Sequence, residues 1–115
     1  MNWKCDHKIN LLFIEAKYRI EEAIELSYIN ILSKSNSCDR TITNKLIEKY
    51  LERRGYVVNT LSRNRLLTKG FVCVAIHNNY IEIWHDIPNN KSSFVNDSLL
   101  TGLPIALRYY EKINN

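Results

Sequence analysis

The sequence predicts an α+β fold: a small antiparallel three-stranded sheet packed against two or three helices, in the order α-α-β-β-β-α. Three observations predict it. Apolar residues recur at three- and four-residue spacing over the first third of the chain. A second helical stretch ends on a full set of stop signals. Two strand-like runs between 71 and 86 flank Asn78-Asn79, a pair suited to a tight primed turn. With 115 residues the chain has the length of a single domain, 1–115, able to bury a core without disulfides or metal.

Residues 6–33 read as the first helix, with Asp6 as its cap and Ile9, Leu12, Phe13, Ala16, Ile20, Ala23, Ile24, Tyr28 and Ile31 as its apolar positions. At 1.5 Å per residue such a helix reaches ~40 Å, against ~30–35 Å for a compact chain of this size. It either breaks, or one end projects and packs on a partner or as a homodimer. After a polar loop from Ser33 to Arg40, a second helix spans 44–54. Thr43 is its expected cap, Ile42 and Ile47 form a hydrophobic staple, and Leu46, Ile47, Tyr50 and Leu51 make the buried stripe. Arg53 and Arg54 complement the C-terminal dipole, and Gly55 supplies a left-handed stop.

Tyr56 to Thr60 reads as a strand, and Ser62 to Lys69 as a basic, polar loop. The runs Phe71–His77 and Tyr80–Asp86 form a hairpin whose two-residue turn sets the register: His77 faces Tyr80, Ala75 faces Glu82, Cys73 faces Trp84 and Val72 faces His85. One face then carries Val72, Val74, Ile76, Ile81 and Ile83, a core surface. The other carries Phe71, Cys73, Ala75, His77, Tyr80, Glu82 and Trp84. From Ile87 to Leu103 the Asn- and Ser-rich chain reads as irregular or only briefly helical. Pro104 opens a last helix with Ile105, Ala106, Tyr109, Tyr110 and Ile113 on one face.

Charge is unevenly placed. The net charge is +4, yet the stretch from Arg40 to Gly70 alone carries +6, which marks it as a candidate anion-binding surface. Lys45, Lys49 and Arg53 fall on one ridge of the second helix, and Arg54, Arg63, Arg65 and Lys69 extend the set. Such a cluster neutralises phosphates and releases counterions; the alternative is a solvated surface with helix-end charges serving the dipole. The aromatic hairpin face, with Phe71, His77, Tyr80 and Trp84, is either a stacking platform or partner surface, or a face that a helix covers.

A helix, a polar turn and a capped helix ending Arg53-Arg54-Gly55-Tyr56-Val57, followed by a basic hairpin, resemble a winged helix-turn-helix over about residues 20–77. That resemblance implies a second helix that enters the major groove and a hairpin that forms the wing.

Other classes are excluded or unsupported. No apolar run approaches the ~18 residues of a membrane span, and the first residues lack a signal-peptide layout. Cys5, Cys38 and Cys73 form neither a CxxC pair nor a zinc pattern, and their odd number suits free thiols in a reducing cytoplasm. Fourteen Asn and fourteen Ile against three Gly point to AT-rich coding DNA, as in a phage, a mobile element or a low-GC host. Isolated glycines make no phosphate loop, so no cofactor is implied. A restriction-type nuclease needs lysine where Trp84 follows Glu82-Ile83, and His77 and His85 fall on opposite faces, unable to share a metal. The expectation is a non-catalytic binding protein, nucleic-acid-binding or regulatory through residues 40–69. The alternative is a protein-interaction module, such as a phage-type inhibitor or virion accessory protein, acting through the aromatic face and the long helix.

Overall fold

Five antiparallel strands lie side by side in chain order, each joined to the next by a short connection. The computed structural model describes residues 3–34, 40–59, 65–88 and 90–113, the side chains of 3–8, 40 and 113 excepted. Helices α1 (Trp3–Lys34) and α2 (Arg40–Arg53) precede strands β1 (Val57–Asn59), β2 (Arg65–Lys69), β3 (Val72–Ile76), β4 (Tyr80–His85) and β5 (Ser93–Asn96). A 3₁₀ segment (Asp97–Gly102) leads into helix α3 (Leu103–Ile113). The α+β class holds, and the sheet has five strands where three were expected.

The two additional strands come from stretches that read as loop. In β2 the alternation Arg65, Leu66, Leu67, Thr68, Lys69 buries only Leu67 fully, so its period-two signal is a single residue deep. β5 likewise buries only Val95. Neither run is apolar enough to announce itself; each forms because a neighbouring strand offers it a ladder.

The β3–β4 hairpin has the register expected for a two-residue turn: Val72 pairs with His85, Cys73 with Trp84 and Ala75 with Glu82. The His77 amide donates to the Tyr80 carbonyl at 2.9 Å and closes the turn. Between β2 and β3 the chain reverses at Gly70, whose φ of 59° favours glycine.

Because paired residues share a face, the register sorts the whole sheet. Leu67, Val72, Val74, Ile76, Ile81, Ile83 and Val95 point inward and join Leu26 and Ile29 of α1, Ile47, Tyr50 and Leu51 of α2, and Leu103, Leu107 and Tyr110 of α3 in one core cluster. In α3 the buried residues are Leu103, Pro104, Leu107 and Tyr110, while Ile105 and Tyr109 of the expected face are exposed. Pro104 sits in the first turn of this helix.

The α2 C-terminus matches its sequence signals. Gly55 has φ 104°, its amide donates to the Glu52 carbonyl, and the Tyr56 amide donates to the Leu51 carbonyl, both at 3.0 Å. This is the paired 6→1 and 5→2 bonding of a Schellman stop, with Leu51 and Tyr56 both buried beside it. The N-terminus differs from expectation. The helix begins at Arg40, so Thr43 is a buried residue inside the first turn and not its cap, and Ile42 is exposed and forms no staple.

Helix α1 starts at Trp3 and runs unbroken to Lys34, placing Asp6 inside it. Its core contacts come from Glu22, Leu26 and Ile29, all in the second half. The expected apolar stripe is instead exposed, from Ile9 to Ile31. The projecting half stretches the molecule to 56 × 40 × 22 Å, with a radius of gyration of 16.2 Å against about 13 Å for a compact chain of this length. Among the described residues no helix is long and apolar enough to cross a membrane.

Gly55→Ala should cost about 1–2 kcal/mol, because a Cβ is strained at this φ and would also meet Lys69 Cε at 3.3 Å. Urea denaturation followed by circular dichroism measures it, and an unchanged midpoint would contradict the capping role.

Candidate functional site

The basic segment is drawn inward by the fold. Arg54, one residue past α2, is 11% exposed and lies between Glu22 of α1 and Glu111 of α3, themselves 5% and 18% exposed. Its Nη1 donates to Glu22 Oε2 at 2.9 Å. Its Nη2 and Nε donate to Glu111 Oε1 at 2.7 and 3.1 Å. Tyr50 Oη donates to Glu22 at 2.7 Å, and Tyr56 Oη donates to Glu111 at 3.2 Å. Lys69, at the end of β2, donates to the Arg54 carbonyl at 2.9 Å and approaches Glu111 at 3.3 Å.

Both cations of this cluster were candidate phosphate ligands; here they compensate the carboxylates of buried Glu22 and partly buried Glu111. Burial alone would lower the Arg54 pKa, but the hydrogen bonds and charges of Glu111, with Tyr50 and Glu22, hold it above its ordinary value. Burial alone would raise Glu111, but Arg54, then Lys69, outweigh it and hold this carboxyl below the usual range. Desolvation pushes the Tyr50 and Tyr56 hydroxyls far up, so both stay protonated donors.

The remaining basic residues divide. Arg53 pairs with Glu25 and Arg65 with Glu48. Arg65 and Lys69 sit at the two ends of strand β2 and face the helices, a correction to the basic loop or wing expected there. A five-stranded meander following α2 likewise departs from the two-stranded wing of a winged helix-turn-helix. Lys45 and Lys49 are exposed on α2 as its ridge predicted. Arg63 lies outside the described residues. A cleft of about 370 Å³ beside the cluster is lined by Tyr18, Arg19, Arg53, Arg54, Arg108 and Glu111. Its arginines are partnered by carboxylates: Arg19 by Glu15 at 2.6 Å, and Arg108 by Glu22 at 3.6 Å.

The second surface is the outer face of the sheet. The described helices α2 and α3 meet strands through the inner-face core, and the outer face of the described residues has no helix against it. Tyr80, Val57 and Phe94 are exposed there, and Leu66, Thr68, His77, Glu82 and Trp84 are half-buried among their neighbours. Cys73 and Ala75 lie at the centre, shielded by flanking side chains, and burial raises the Cys73 thiol pKa. Phe71, in the turn at one end, is 60% exposed.

Polar bonds lock the aromatic end of this face. His77 Nε2 meets Glu82 Oε1 at 3.0 Å, and Ser92 Oγ donates to Glu82 Oε2 at 2.8 Å. The His77 ring stacks on Tyr80 with centroids 4.5 Å apart, and Tyr80 meets the edge of Phe94 at 5.6 Å. His85, on the opposite face as expected, is buried and bonds the Tyr110 carbonyl at 2.8 Å. The paired positions of this outer face, from Val57 to Asn96, include no lysine or arginine among the described residues, because Arg65 and Lys69 alternate inward.

Sequence reasoning found Phe71, His77, Tyr80 and Trp84 but missed Val57, Leu66 and Phe94. Their strands are too short for periodicity, and only ladder pairing reveals their side. Among the described residues no group of three or more His, Cys, Asp or Glu could hold a metal ion. Models of known families, characterised proteins and solved structures yield no match to this chain.

Arg54→Ala should destabilise the protein by about 3 kcal/mol. Among the described residues it leaves buried Glu22 only the longer ion pair to Arg108 and partly buried Glu111 only that to Lys69; chemical denaturation at pH 7 measures the loss. The Glu111 contribution has a definite sign. Its folded pKa lies below the ordinary 4.5, so its stabilisation is complete above that pH and is lost as pH falls through the folded value. Glu111→Gln should be less stable than the parent at pH 7 and show a shallower loss between pH 5 and 3, read from denaturation midpoints.

Proposed function

We propose that the protein is a non-catalytic interaction module that binds another protein through the open face of its sheet. The observation carrying this reading is a five-stranded sheet whose helices, among the described residues, pack on one side, leaving Val57, Tyr80, Phe94 and half-buried Trp84 on the other. The exposed apolar and aromatic groups stand on the edge strands β1 and β5 and at the start of β4, around a centre of Cys73 and Ala75. Exposed apolar groups gathered on one face mark an interaction surface. Fixed rings lose little conformational entropy on binding. The Glu82 carboxylate and the lack of lysine or arginine at these positions disfavour a phosphate backbone and favour a protein surface.

A nucleic-acid-binding or regulatory role is the second reading. Lys45 and Lys49, exposed one turn apart on α2, favour it, and Arg53, Arg65 and Lys69 would contribute only where their carboxylate partners release them.

The two readings separate in one pair of measurements. Fluorescence anisotropy with labelled duplex DNA, single-stranded DNA and RNA should give weak binding at low salt that Lys45→Ala/Lys49→Ala removes. Partners captured from a host extract should be held by the parent and lost with Phe94→Asp, a substitution at an exposed position that leaves the melting temperature within a few degrees. Micromolar nucleic-acid binding with a steep salt slope, unaffected by Phe94→Asp, would overturn the protein-binding reading.

A further inference from the structure

We infer that α1 pairs with α1 of a second copy of this chain, antiparallel, about a two-fold axis passing Ile20. The inference is independent of the sheet-face reading, because it uses the side of α1 that points away from the core.

The helix has two apolar sides. One holds Leu26 and Ile29 and enters the core. On the other, Ile9, Phe13, Ile20, Ile24 and Ile31 are 49, 71, 60, 64 and 68% exposed, with Ala16 and Ser27 between them. This second seam continues alongside the half of α1 that is docked on the rest of the chain. It is therefore no by-product of a projecting end.

The occupant follows from the seam itself. Its positions lie four, seven and eleven residues on either side of Ile20, the condition for a helix stripe to meet itself under a two-fold axis. That operation sets Ile9 against Ile31 of the second copy, Ile20 against its own equivalent, Ala16 against Ile24, and Phe13 against Ser27. Each small side chain then meets a large one, as interdigitated packing requires.

An antiparallel pair also brings like flanks together. Lys17 and Glu21, both exposed, share one flank, so each lysine comes beside the glutamate of the other copy. On the opposite flank Arg19 is already paired with Glu15 of its own helix at 2.6 Å. Covering the seam on both copies takes ten exposed large apolar side chains out of water, five from each, a contiguous apolar strip of the kind that marks an interaction site.

Sedimentation velocity of the full chain at micromolar concentration should show a dimer. Ile20→Glu, at the centre of the seam and outside the core, should raise the dissociation constant by roughly thirtyfold or more. Lys17→Glu should weaken the dimer, and Lys17→Glu/Glu21→Lys should restore it. The direction is read by oxidative cross-linking in a Cys5→Ser/Cys38→Ser background: an Ala16→Cys chain mixed with an Ile24→Cys chain should form the mixed disulfide, with neither forming one alone. A strict monomer overturns the inference and leaves the seam to a different occupant. A dimer indifferent to Ile20→Glu, or cross-links within each single variant, overturns the site or its direction.

Discussion

A largely enclosed guanidinium held between two carboxylates from distant parts of the chain constrains the rest of this structure. Arg54 leaves the end of α2 and takes Glu22 from α1 and Glu111 from α3, while Lys69 reaches in from β2 and Tyr50 and Tyr56 supply hydroxyl donors. Such a cluster gains little over well-packed apolar side chains, because desolvation offsets most of the attraction. Its effect is on alternatives: any arrangement that separates its members buries an uncompensated charge. The relative placement of three helices and a strand end is thereby tied to one residue. The Schellman stop at Gly55 aims that residue by turning the chain immediately after it.

The same cluster changes what the basic segment means. A net +6 across residues 40–70 describes a field only when its charges stand free in solvent. Arg54 and Lys69 neutralise buried acids, and Arg53 and Arg65 have partners on α1 and α2. Lys45 and Lys49 remain as exposed charge on the α2 ridge.

Two surfaces whose apolar groups lack cover lie on different parts of the molecule. The sheet meets its helices on one face, so its other face holds aromatic groups in a fixed arrangement, with His77, Glu82 and Ser92 bonded in series. Helix α1 has apolar residues on both sides, and the core uses only one. Its modest separation of polar and apolar faces reflects that double demand. A helix apolar on two sides fits an element between two packing partners.

Local signals in the sequence determined the α+β class, the presence of a long first helix, the stop of α2 at Gly55 and the register of the β3–β4 hairpin, while only the structure showed that the first helix runs unbroken. Each depends on neighbours within a few residues: uninterrupted helical spacing, a left-handed glycine, a two-residue turn. The register in turn placed His77 and His85 on opposite faces. Tertiary structure alone decided that β2 and β5 are strands, because runs with one buried side chain each become strands only when a partner ladder is present. It also decided which side of α1 enters the core. Nine apolar positions marked one side, yet Glu22, Leu26 and Ile29 are buried, since Arg54 and Tyr50 stand where they can compensate a carboxylate. Charge count in sequence treats every arginine alike, whereas burial and pairing are properties of residues tens of positions apart.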